Sequence, residues 1–92
     1  MARKWYLGAN RYVFTQVYTE SGEDLTINSS TYSIYDTSDE SIVASGLATV
    51  QDQIIFCLWE PSEIGIYVVD FDYVIGDETF TSRQVVEVTE TL

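Results

Sequence analysis

The stretch EIGIYVVDFDYVIGDETF, residues 63 to 80, decides the fold. From Tyr67 the odd positions read Tyr67, Val69, Phe71, Tyr73 and Ile75, all apolar or aromatic, while Asp70 and Asp72 fall on even positions. Side chains on a strand alternate between its two faces. The period of two therefore predicts a strand with one face in a core and both aspartates turned away from it. Gly76-Asp77 follows as a two-residue hairpin turn, since glycine takes positive φ without penalty.

The same alternation recurs along the chain, with turn residues every eight to twelve positions, the pattern of an all-β sandwich or barrel. Seven strands are expected: RYVFTQVYT, LTIN, TYSIYD, IVASGLATV, IIFCLW, the opening stretch, and TFTSRQVVEV. IIFCLW is apolar on both faces and is expected to be central. Pro61 in the EPSE segment after it cannot continue a central strand. The expected inward set is Phe14, Leu25, Ile27, Ile34, Val50, Ile54, Phe56, Leu58, Tyr67, Val69, Phe71 and Val86.

With 92 residues the chain is one domain. A chain this small buries only roughly 60–65% of the surface its unfolded form exposes, so large side chains help. Seven Tyr, four Phe and two Trp within a 46% hydrophobic composition exclude a disordered segment. Residues 1–10 read as an N-terminal arm ahead of a domain at 11–92. Trp5, Tyr6 and Leu7 are costly apolar surface for a free tail. They are the expected contact with a partner subunit, with packing onto their own sheet as the alternative.

Four Lys and Arg against 15 Asp and Glu give a net charge of −11. No basic residue lies between Arg11 and Arg83. Nucleic acid and anionic membranes are therefore excluded as partners, because phosphate affinity comes mainly from Lys and Arg. Arg3 and Lys4 form the only basic cluster, read as a short solvated tail. The start MARKWYLGAN lacks the apolar run of a signal peptide, and no segment approaches the roughly 20 apolar residues of a membrane span. The expectation is synthesis in the cytoplasm, with export inside a larger particle such as a virion left open.

Candidate chemistry is sparse. Asp70 and Asp72 would stand about 7 Å apart at Cα on one strand face, a spacing that suits weak calcium binding or a shared proton. The chain has no His, so a solvated strand face is the preferred reading over a catalytic pair. The acidic turn at Asp36, Asp39 and Glu40 offers oxygen ligands without the twelve-residue loop of an EF-hand. Asn28 opens an Asn-Ser-Ser glycosylation triplet, read as accidental. Cys57 excludes an internal disulfide, being the single cysteine. It lies among bulky apolar residues with no base nearby, which reads as a buried, inert thiol. No phosphate loop, nucleophile elbow or zinc spacing is present. No enzyme activity, cofactor or metal site is expected.

Glu63, Gly65 and Tyr67 form an acid, a glycine and a tyrosine at alternate positions. This resembles the immunoglobulin-type pattern that opens strand F, where the tyrosine hydroxyl bonds back to nearby backbone and pins a corner. The position two residues after that tyrosine, a cysteine in antibody domains, is Val69 here. The resemblance thus implies a seven-stranded immunoglobulin-like β-sandwich without a disulfide, with a small β-barrel as runner-up. Over about residues 24 to 88 the order DLTI, YSIYD, VASGLATV, GIYVVDFDY and VVEV is similar to small immunoglobulin-like proteins of bacteriophage and prophage structural modules, including baseplate-type domains. That resemblance implies a non-enzymatic structural or assembly protein acting through protein–protein contacts or self-association. The alternative is a carbohydrate- or calcium-binding module that uses exposed Tyr and Trp or the acidic turns.

Overall fold

The computed structural model describes residues 3–18 and 26–90. Leu25, expected in the core, lies outside the described residues. The described chain is all strand and turn. Its elements are β1 (Arg3–Tyr6), β2 (Arg11–Gln16), β3 (Ser29–Asp36), β4 (Ile42–Leu47), β5 (Thr49–Gln51), β6 (Ile54–Trp59), β7 (Gly65–Ile75) and β8 (Glu78–Thr89). They form two sheets, one ordered β1-β8-β7-β3-β4 and one ordered β2-β6-β5. Every pairing is antiparallel except β1 with β8. The two sheets face each other across a shared core, so the molecule is a β-sandwich.

The strand list differs from the expected seven at three places. Residues 26–28 are not strand, although Ile27 is buried. IVASGLATV splits at Ala48, whose amide donates to the Ser30 carbonyl at 3.0 Å, and β4 and β5 go to different sheets. Residues 3–6, expected in an arm, pair in parallel with Val86–Thr89 and form an edge of the large sheet.

The long hairpin β7–β8 is the spine of the large sheet. Its register runs without a break from Gly65↔Val88 to Ile75↔Glu78. Gly76 closes it at φ 65 with open space where a Cβ would sit, so the turn requires the backbone freedom of glycine alone. The alternation read from the sequence holds here: Tyr67, Val69 and Phe71 are buried, with Ile34 from β3 and Val86 and Val88 from β8.

The small sheet turns the other way. Val13, Val17, Ile55, Cys57 and Trp59 fill the core, while Tyr12, Phe14, Ile54 and Leu58 are exposed and Phe56 is half-buried. The expectation that Phe14, Ile54, Phe56 and Leu58 point inward is therefore corrected. Val50 does face inward: it pairs with the buried Ile55 and packs, half-buried, against the core. The ladder couples these errors: Val13 pairs with Cys57 and Phe14 with Phe56, so the two strands share one parity. A strand offset by one residue exchanges its faces completely.

Trp5 is fully buried, which corrects its expected place at a partner contact. Its indole N–H donates to the Ala9 carbonyl at 2.9 Å. Its ring lies 5.7 Å from Trp59, which in turn meets Tyr67 edge-on at 5.1 Å. Tyr6 and Leu7 are half-buried, and Leu7 packs against the core. The packing alternative is the one found: parallel pairing engages one side of the β1 backbone and lets Trp5 bridge both sheets.

Candidate functional site

The outer face of β2-β6-β5 carries a run of exposed apolar and aromatic side chains. Tyr12 is 59% exposed, Phe14 45% and Leu58 50%. Tyr12 stands opposite Leu58, Phe14 opposite Phe56, and Gln16 opposite Ile54. The Tyr12 ring meets Phe56 edge-on at 5.4 Å. A shallow depression of about 580 Å³ lies between Tyr12, Phe14, Ile54 and Phe56, with Gln51 and Asp52 at its rim. Contiguous apolar surface of this kind marks contact sites more often than scattered hydrophobic residues do. Chemically it offers ring faces and aliphatic surface, with the Gln51 amide and the Asp52 carboxylate as polar groups at the rim.

The aspartates of β7 have separate fates. Asp70 points away from the core yet is almost fully covered, so it is not the solvated residue the alternation suggested. Arg83, directly across on β8, donates Nε to Oδ1 at 2.7 Å and Nη2 to Oδ2 at 2.9 Å. Hydrogen bonding and charge from Asp70 push the Arg83 guanidinium above its already high ordinary value. Asp72 is exposed and accepts from the Thr81 hydroxyl at 2.6 Å. The pair is committed to two different cross-strand partners and presents no joint site.

The acidic turn is similarly occupied. Asp36 Oδ1 accepts from the amide and hydroxyl of Ser38, and Asp39 Oδ1 from those of Ser41. The Ser41 hydroxyl, then its amide, hold the Asp39 carboxyl below its ordinary value. These are turn-forming bonds of the Asx type. Glu40 takes φ 61 within the same turn. Among the described residues no group of three or more His, Cys, Asp or Glu could hold a metal ion. Asn28 accepts from the Gly76 amide at 3.2 Å and so ties the hairpin turn to the start of β3.

The Tyr67 hydroxyl donates to the Glu63 carbonyl at 2.8 Å, across a bend in which Gly65 takes φ 154. Glu63 contributes its backbone here and Gly65 its conformation. Burial, followed by the carboxylates of Asp36 and Glu63, raises the Tyr67 phenol above its ordinary value. Cys57 is buried, and desolvation pushes its thiol up to about 11.

The described basic side chains are used within the fold. Lys4 pairs with Glu87 at 2.9 Å, Arg83 with Asp70, and Arg11 lies 4.5 Å over the Trp5 ring. Among the described residues those two ion pairs engage only Asp70 and Glu87, and the protein as a whole carries a net charge of −11. No helix of the described chain is long and apolar enough to cross a membrane. Comparison with family models, curated proteins and solved structures found no match.

Sequence reasoning missed the outer face of the small sheet because it placed most of those residues inside. The one pointer to it was Cys57. Its burial fixes the inward parity of β6 at residues 55, 57 and 59 and leaves Ile54, Phe56 and Leu58 outside.

Proposed function

We propose that this chain is a non-enzymatic contact module, a structural or assembly protein whose work is done by protein–protein interfaces. The observation that carries this reading is the exposed apolar face of β2 and β6, centred on Tyr12, Phe14 and Leu58. Aromatic residues at the centre of a patch supply most of the binding energy of such interfaces. The sandwich is read as immunoglobulin-like. Two observations support this reading: the β8-β7-β3-β4 run lies in a different sheet from β2-β6-β5, and the Tyr67 corner stands at the start of β7. The setting in a phage or prophage particle rests on the strand pattern of residues 24 to 88 alone.

Co-expression with the products of neighbouring genes, followed by light scattering, tests the reading. The expected result is a defined complex that is lost in Tyr12→Thr/Leu58→Thr. A complex that survives this double substitution, or the absence of any complex, overturns it. One observation favours a second reading, carbohydrate binding: the depression at Tyr12, Phe14 and Phe56 places ring faces beside Gln51 and Asp52. In that case a soluble glycan raises the melting temperature of the chain alone, by mass action on the folded state.

A further inference from the structure

The large sheet ends in β4, and the regularly paired half of β4, Ala44–Leu47, is an open edge. The β4 sequence IVASGL contains no charge and no proline, the devices that usually blunt an edge against pairing. Val43 is half-exposed and Leu47 is 83% exposed. The other edges are guarded or short. β5 has three residues. β1 has four and carries Lys4, paired to Glu87. β2 is tied to β8 through Gln84 Nε2 on the Phe14 carbonyl at 2.8 Å and through Thr15 on Ser82. A register shift interrupts the β3–β4 ladder at Ile34/Tyr35, but Ala44 to Leu47 pair regularly with Ile34 to Thr31. The Tyr32 ring packs over Gly46, its cross-strand partner, about 3.5 Å from where a Cβ would sit.

Beside this edge lies a groove of about 360 Å³ lined by Val43, Ala44, Trp59, Glu60 and Glu63. It combines apolar walls with two exposed carboxylates that take part in neither described ion pair. Asp39 and Glu40, in the turn that leads into β4, add further negative charge.

We propose that the free edge of β4 accepts an extended segment of a partner protein as a sixth strand of the large sheet. The segment carries Lys or Arg at alternate positions. Backbone hydrogen bonds to Ala44–Leu47 supply the register, and alternate side chains give the specificity. Every second side chain of the incoming strand faces the groove. A lysine there lays its stem on Val43, Ala44 and Trp59 and brings its ammonium to Glu60 or Glu63. A second copy of this chain is the wrong occupant, because each copy carries a charge of −11 and like charges oppose the contact. The proposal rests on the reading that the chain works through protein contacts, but it uses a surface separate from the Tyr12–Leu58 face.

The test uses the full ¹⁵N-labelled chain and an end-blocked ten-residue peptide of alternating Lys and Val. The expected result is slowed amide exchange within Ala44–Leu47 on adding peptide, with no binding of the Glu–Val counterpart. Glu60→Lys/Glu63→Lys weakens peptide binding by about tenfold or more, and Glu60→Gln/Glu63→Gln by less. Both substitutions leave the Tyr67 corner intact, since it uses the Glu63 carbonyl. Tyr12→Thr/Leu58→Thr leaves peptide affinity unchanged, which separates failure of this site from failure of the outer face. The proposal is overturned if the Lys–Val peptide does not bind at millimolar concentration, binds without slowing exchange in β4, or binds the charge-reversed variant equally well. A homodimer protected at β4 in the absence of peptide overturns it as well.

Discussion

Arg83 reaches across from β8 to β7 and grips both carboxylate oxygens of Asp70, at 2.7 and 2.9 Å. The carboxylate is nearly covered while most of the Arg83 side chain remains in water. Removing the exposed partner therefore strands a covered charge, which costs more than the pair itself contributes. Arg83→Met is expected to lower the urea midpoint, and Asp70→Leu/Arg83→Met to recover part of the loss. A double-mutant cycle checks this. If the effects of Asp70→Leu and Arg83→Met simply add, the two residues are not coupled.

Trp5 gives the second prediction. It is fully buried and joins the two sheets through Trp59. Trp5→Ala should cost about 3–5 kcal/mol, the range for emptying a large aromatic site. Small domains have only about 5–15 kcal/mol in total. A chain of residues 11–92 loses β1 as well and is expected to be unfolded or molten by near-UV circular dichroism. A well-folded 11–92 fragment would return residues 1–10 to the status of an arm.

The large sheet was legible in the sequence because its two faces differ. In β7 the odd residues are apolar and Asp70 and Asp72 mark the other side, so parity is unambiguous. In β6 both faces are apolar, and along residues 11–18 aromatics on one side compete with Val13 and Val17 on the other. Alternation then carries no direction, and size favours the wrong face. The sequence held a contradiction that resolves it: Cys57 read as buried and Phe56 read as inward cannot share a strand with a single covered face. The fate of Asp70 was invisible for another reason. Its cover comes from Arg83, thirteen residues away, and depends on the hairpin register. The β4 edge was also hidden, because a continuous IVASGLATV gives no sign that the chain changes sheets at Ala48.

Tyr67→Phe isolates the corner bond. The ring stays, and only the hydroxyl-to-Glu63 bond is lost, which should cost about 1 kcal/mol at neutral pH. The phenol is raised in the folded state above its ordinary 10.0. A group raised on folding gives its full contribution below the unfolded pKa and loses it as pH rises through the folded one. Tyr67 is therefore expected to stabilise the wild type fully below pH 10, and the gap to Tyr67→Phe should narrow above that. Urea titrations from pH 7 to 11 measure it. A constant gap across that range would show that the hydroxyl does not carry the effect.

Cys57 reports on opening of the core. Its thiol is raised by burial to about 11, so the reactive thiolate is scarce at pH 8. Labelling by a thiol reagent should wait for unfolding and slow in proportion to stability. Ile55→Ala, which weakens the fold, should then speed labelling. Equal rates in the two proteins would mean that Cys57 reacts through a local opening.

The parity of the small sheet can be tested on one strand. Ile55 is fully buried and Leu58, three positions along β6, is half-exposed on the opposite face. Ile55→Ala is expected to cost about 2–5 kcal/mol, because it leaves a cavity between the sheets. Leu58→Thr should change stability by only about 0.5 kcal/mol, since a β-branched polar residue suits an open strand face. Urea midpoints of the two variants decide the matter. If the order were reversed, β6 would be turned by one residue, Val13 would move outward with Cys57 through the β2–β6 ladder, and the exposed aromatic face on which the contact reading stands would be the core instead.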